Sequence, residues 1–264
     1  MTSHREANQE TTMLQHPTLE KLQELRLDAM ARALRDQIDD EAVRELDFME
    51  RLGLLVDREA TERESRRLKT RLTQAKMRQS AAVEDIDYRH PRGLDKALMA
   101  RLSGCDWIRE HLNVLITGST GLGKTWLACA MAHKACREGF RVRYMRVPRM
   151  FGELELAKGD GRYGKLLAAW AKIDLLVLDD LALVPLTDGN RRDLLEILED
   201  RHELRSTLVT SQIPVEKWHE AIGDPTLADA ILDRLVHNAH RIKLDGESLR
   251  KNKTASRRTR TAAD

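Results

Sequence analysis

The sequence predicts an α/β fold: a five-stranded parallel sheet wrapped by helices on both faces, preceded by a small all-helical module. Three observations carry that expectation. Before residue 88, apolar residues recur at helical spacing with few β-branched residues among them. From residue 114 onward, short β-rich runs alternate with helical stretches, as in sheets whose strands are laid parallel by crossover helices. A glycine-rich loop stands between the first of these runs and the helix that follows it.

With 264 residues, 41% of them hydrophobic, the chain can build one sizeable core and a smaller companion. A wholly disordered chain is excluded. The longest apolar run, 175–186, is too short for a bilayer span and is broken by Asp179 and Asp180. The opening MTSHREANQETTM is polar, with no apolar signal core, so no membrane partner is expected. Cys105, Cys129 and Cys136 are odd in number and lack metal-ligand spacing. They read as small buried hydrophobes in a reducing, cytoplasmic setting.

In chain order, residues 1–16 read as a disordered lead-in. Leu19, Leu22, Leu25, Met30, Ala33 and Leu34 then mark a first helical run. Phe48, Leu52 and Leu55 mark a second, and Leu68, Leu72 and Ala75 a third, with Arg63, Arg67, Arg71 and Arg78 along one side. Residues 88–93 read as a linker. Strands are expected at 114–117, 142–147, 175–179, 207–211 and 240–244, and helices at 126–137, 165–171, 191–204 and 226–237. The net charge of +2 conceals segregation. Residues 36–50 carry seven acidic residues against one basic, residues 63–78 seven basic against one acidic, and residues 250–264 six basic against one acidic. Such clustering points to a local surface for a polyanion, or to a merely solvated helix face.

The chemistry concentrates in four places. Gly118, Ser119, Thr120, Gly121, Leu122, Gly123, Lys124 and Thr125 fit G-x-x-x-x-G-K-[ST] between strand and helix. In that context the loop N–H groups and the helix N-terminus bind phosphates, Lys124 reaches the β- and γ-phosphates, and the Thr125 hydroxyl ligates Mg²⁺. ATP and Mg²⁺ are the implied cofactors. The buried run 175–178 ends in Asp179, placed for the metal, and Asp180, placed to polarise the attacking water. Residues 206–212 form a strand with a polar end, where Ser211, with Gln212 behind it, is the candidate for contact with the γ-phosphate or water. Arg234, Arg241 and Arg250 are arginines that could serve a phosphate in trans.

Together with Leu25–Met30, Phe48–Leu52, 63–68, 178–186, 214–218, 233–242 and 246–250, these motifs resemble the IstB-like AAA+ ATPases over about 19–251. That family is related to DnaC-type helicase loaders. The resemblance implies an ATPase that binds duplex DNA, assembles with copies of itself in the presence of ATP and DNA, and helps a cognate DDE-type transposase engage its target. It implies Asp179 and Asp180 as the paired acids, Ser211 as a sensor-like residue, Arg234 as the arginine acting in trans and Arg250 as a second sensor. Asp180 stands where many AAA+ proteins carry a glutamate, and no separate lid domain is expected after the core. The implied division is a lead-in at 1–16, a DNA-binding and assembly domain at 17–87, an ATPase domain at 88–250 and a basic tail at 251–264. Arg63, Arg66, Arg67, Lys69 and Arg71 are the candidate phosphate contacts on DNA. The alternatives are a replicative helicase loader and, from another class, a small-molecule kinase. The kinase lacks an acceptor lid and leaves the helical module without a task. Single-strand binding favours aromatic platforms, and aromatics are only 4% of the chain, which favours duplex DNA.

Overall fold

The computed structural model describes residues 17–249. The expected lead-in, the basic tail and Arg250 lie outside the described residues. The chain divides into two compact units, Met1–Lys69 and Thr70–Asp264.

The first unit is helical. Helices α1 (Pro17–Glu24) and α2 (Asp28–Asp39) are followed by α3 (Phe48–Ala75), which runs on past the unit boundary. The helical runs are cut differently from the expectation. The first run breaks between α1 and α2, where Arg26 turns to φ +58°. The second and third fuse into one helix of 28 residues, because no proline divides them. The single Gly53 faces open space and costs an exposed helix only about 1 kcal/mol. The buried apolar set is small: Leu19, Ala29, Ala31 and Leu55. A carboxylate does much of the holding instead. No side chain of α2's own caps its N-terminus. Glu59 of α3 accepts from the Ala29 and Met30 amides at 3.0 Å each, and Arg63 pairs with it at 2.8 Å.

In the second unit, α4 (Lys96–Ser103) and α5 (Asp106–Arg109) precede β1 (Asn113–Thr117), α6 (Lys124–Arg137) and β2 (Val142–Arg146). Helices α7 (Val147–Gly159) and α8 (Tyr163–Ala171) lead to β3 (Leu175–Leu181). Then come α9 (Asp188–Glu199), β4 (Ser206–Ser211), α10 (Trp218–Ile222), α11 (Pro225–Val236) and β5 (Ala239–Lys243). The five strands are all parallel in the order β2-β3-β4-β1-β5, as the fold class predicted. The three inner strands are buried along both faces, which suits the near-continuous apolar runs at 114–116, 175–178 and 208–209. Helix α7 was not foreseen; the β-rich run before it leads straight into Pro148 at a helix start, a position proline favours. Cys105, Cys129 and Cys136 are buried thiols, and burial pushes Cys105 and Cys136 up to about 11. No described helix is long and apolar enough to cross a membrane.

Alternation along the strands sorts the sheet faces. Leu115, Leu176, Leu178 and Val209 pack into the cluster containing Phe151, Trp170, Ile197, Trp218 and Ile231. Each such buried side chain is worth about 1.5–3 kcal/mol. Strand register sets Tyr144 beside Val177, and Val177 beside Leu208. Asp179 and Thr210 lie two residues further along their strands, so Tyr144, Asp179 and Thr210 share the other face.

Candidate functional site

The loop between β1 and α6 is built on positive backbone angles: Gly118 at φ +144°, Gly121 at +92° and Gly123 at +87°. Side chains rarely adopt these angles, and here they would have no room either. A Cβ on Gly118 would collide with the Leu244 carbonyl, one on Gly121 with the Ser248 hydroxyl, and one on Gly123 would stand 2.8 Å from the Arg92 guanidinium. The backbone after β5 lies over the loop, with the Leu249 amide donating to the Gly121 carbonyl at 3.0 Å. Lys124 is folded back along the loop, donating from Nζ to the carbonyls of Gly118 at 2.6 Å and Ser119 at 2.9 Å. A glycine cradle, a lysine laid across it and a helix N-terminus beneath it fit a polyphosphate.

The opposite wall is Asp179, with none of its surface exposed. The Thr125 hydroxyl reaches its two oxygens at 2.9 and 3.1 Å. Thr210 donates to Oδ1 and Tyr144 to Oδ2, both at 2.6 Å. Burial, followed by the adjoining carboxylate, raises the Tyr144 phenol well above its ordinary value, so it stays protonated and donates. The Arg78 guanidinium stands 4.0 Å from Oδ2. A threonine hydroxyl meeting a carboxylate at the foot of a phosphate loop is an all-oxygen donor pair, the kind a hard divalent cation such as Mg²⁺ takes.

The other sequence-predicted residues are placed as follows. Asp180 follows at φ +65° where the β3–β4 register shifts. Its Oδ2 accepts from Arg146 Nε at 3.1 Å and Nη2 at 2.9 Å. Ser211 is fully buried and donates to the Leu181 carbonyl at 2.9 Å. Its neighbour Gln212 is the one that reaches the loop, accepting from the Thr120 hydroxyl at 2.7 Å. Arg234 on α11 donates to Glu199 at 2.6 Å and to the Ala230 carbonyl. On α3, Arg63 is tied to Glu59 and Arg66 stands 3.6 Å from Glu62. Arg67 and Lys69 are exposed. Arg71 belongs to the second unit and donates to the Cys136 carbonyl at 2.8 Å.

Five residues about the site escaped sequence reasoning, among them Thr210, one place before the Ser211 that the strand end suggested. Tyr144 reads as an ordinary core aromatic, and nothing in its spacing distinguishes it. Arg78 reads as part of a basic helix face, yet α3 ends at Ala75 and Lys76 turns to φ +50°. Arg92 reads as linker but is 3% exposed and donates to the Leu122 carbonyl at 3.0 Å; burial pulls its guanidinium below the usual range. Arg146 had a usable signal, since it ends the strand adjoining Asp179.

The chain matches the model of a family described as IstB-like ATP binding protein over residues 20–257. It is 56% identical over 240 residues to the insertion sequence ATP-binding protein y4pL of Sinorhizobium fredii (strain NBRC 101917 / NGR234), covering 91% of this chain and 98% of that one. It is 30% identical over 229 residues to the insertion sequence IS21 ATP-binding protein of Pseudomonas aeruginosa, covering 87% and 86%. Among solved structures it is similar to the DnaC helicase loader, with a TM-score of 0.52 and 20% identity over 62% of this chain and 97% of that one. It is also similar to the replication initiator DnaA bound to AMPPCP and single-stranded DNA, with a TM-score of 0.53 and 15% identity over 69% and 56%. These structural likenesses establish an AAA+ P-loop fold.

Proposed function

We propose that this chain, which belongs to the IstB-like ATP binding protein family, hydrolyses ATP with Mg²⁺ on duplex DNA and so assists a DDE-type transposase in selecting its target. The observation that carries the ATPase reading is the meeting of Thr125 and Asp179 at 2.9 Å below the glycine loop. The transposition reading is supported by the insertion sequence relatives, the y4pL protein of Sinorhizobium fredii matching along 98% of its length. A cytoplasmic setting goes with it.

In this reading Gly118, Ser119, Thr120, Gly121, Leu122, Gly123 and Thr125 enclose the phosphates with their amides. Lys124 exchanges its two loop carbonyls for the β- and γ-phosphate oxygens. Thr125 and Asp179 hold the metal, and bound Mg²⁺ supplies positive charge where negative charge builds on the transferred phosphoryl group. Asp180 orients the attacking water once Arg146 releases it. Gln212, linked to the loop through Thr120, takes the contact with the γ-phosphate or water for which Ser211 was the first candidate. Arg234 leaves Glu199 to reach the γ-phosphate of a neighbouring copy. Residues 17–87 bind DNA and support assembly, with Arg66, Arg67 and Lys69 facing phosphates while Arg63 stays with Glu59, and residues 88–250 hydrolyse ATP.

The test combines phosphate release on duplex DNA with strand transfer by the cognate transposase. Lys124→Ala should lose nucleotide binding and target selection together. Mixing Lys124→Ala with Arg234→Ala subunits should restore some hydrolysis, because one interface then pairs an intact loop with an intact arginine. Undiminished turnover in Lys124→Ala overturns the ATPase reading. Pull-down of a replicative helicase in place of the transposase overturns the transposition reading in favour of a helicase loader.

A further inference from the structure

We propose that the hydroxyls of Tyr144 and Thr210 are positioning groups for Asp179, two donors from the flanking strands that aim its carboxylate at the metal. This rests on the reading of Asp179 as the metal-binding acid.

The hydrogen bonds around Asp179 are unequal. Those from Thr210 to Oδ1 and Tyr144 to Oδ2 are 2.6 Å, whereas Thr125 spans both oxygens at 2.9 and 3.1 Å. The two short bonds come from β4 and β2, the strands on either side of β3. The looser one comes from the phosphate loop. The proton on Thr210 is fixed in direction: its Oγ1 already accepts the Asp180 amide at 3.1 Å, so its own hydrogen is left for Asp179. Tyr144 is 6% exposed and Thr210 fully buried, so water does not readily replace either donor. A cation entering between Thr125 and Asp179 exchanges the loose bond and leaves the short ones in place. With one lone pair on each oxygen held from behind, the carboxylate cannot turn about its terminal torsion, and its free lone pairs face the loop. Partners that orient a metal ligand from behind in this way typically contribute about 10–100-fold to metal affinity.

The experiment titrates Mg²⁺ into the full-length protein holding a fluorescent ADP, and separately measures ADP affinity in EDTA. Tyr144→Phe keeps the ring and removes the donor. It should raise the half-saturating Mg²⁺ concentration by about 10-fold or more, with ADP affinity in EDTA and melting temperature close to the wild type. Thr210→Val should do the same and Thr210→Ser should restore the wild-type value, a rescue that lost packing would not give. Unchanged Mg²⁺ half-saturation in both Tyr144→Phe and Thr210→Val overturns the proposal, as does an equal loss of ADP affinity in EDTA. A wild-type protein whose ADP signal ignores Mg²⁺, or an Asp179→Asn variant with unaltered Mg²⁺ dependence, instead overturns the parent reading of the metal site.

Discussion

A buried carboxylate stands in each unit of this protein, Glu59 in one and Asp179 in the other, and the two are held in opposite ways. Glu59 in the helical unit takes two backbone amides and a guanidinium. Asp179 in the sheet unit takes three hydroxyls, with a guanidinium further off at 4.0 Å. Backbone amides are fixed by the helix that owns them, so Glu59 can only be a fastener. Hydroxyls rotate, and one of those on Asp179 belongs to the phosphate loop, so that set can be rearranged around a ligand. The surroundings agree. Glu59 stands in for a core that the helical unit hardly possesses, whereas Asp179 sits on a sheet already packed on both faces.

The sharpest way to break the comparison is to neutralise each acid in turn. Asp179→Asn should cut Mg²⁺-dependent turnover by on the order of 10²-fold or more while the melting temperature barely moves, as phosphate release and calorimetry would read. Glu59→Ala should do the reverse, costing about 1–3 kcal/mol through two amides left without a partner, with faster hydrogen exchange along α2 and little change in turnover per folded molecule.

Acidity separates them further. Burial alone would raise the Glu59 carboxyl, but the Met30 amide, the Arg63 guanidinium and the Ala29 amide outweigh it and hold it below its ordinary 4.5. A lowered carboxyl gives stability that is full above the ordinary value and is lost as the pH falls through the lowered one. Protection of α2 should therefore hold at pH 7 and decline below about 4.5. In Glu59→Gln the decline should be absent.

The smallest expected effect concerns DNA. Arg63 is tied to Glu59, whereas Arg67 is exposed and, among the described residues, has no carboxylate within ion-pair distance. Arg67→Ala should lower the salt slope of duplex binding by nearly one and weaken all sequences alike. Arg63→Ala should register mainly as lost stability in the helical unit. If Arg67→Ala leaves affinity and slope unchanged, α3 is not the phosphate contact.

The sheet and the phosphate loop were legible because both are written in local pattern. The glycine spacing at 118–123 and the apolar run ending in Asp179 each lie within a dozen residues, and the alternation of β-rich and helical runs is a succession of such short segments. The helical unit was misdivided because periodicity reports a helical face without its breaks: Arg26 interrupts a run with no glycine or proline to announce it, while the span through Gly53 is continuous. The polar surroundings of Asp179 were illegible for another reason. Tyr144, Thr210 and Arg78 come from separate segments, and only strand register and the reversal after α3 bring them to one carboxylate. At the end of β4 the sequence offered Ser211 first and Gln212 behind it, whereas alternation along the strand turns Ser211 into the interior and leaves Gln212 at the loop.

The backbone draped over the glycine loop makes the stretch after β5 a built-in gauge. Its Leu249 amide is fastened to Gly121, and its Leu244 and Ser248 atoms occupy the space a Cβ on the loop would need. Whatever widens or tightens the loop must be felt there, well over 120 residues away along the chain. A dye attached through Ser248→Cys would therefore read loop occupancy directly. An affinity handle spliced just beyond that residue would act as a brake on the very site it was meant to leave alone.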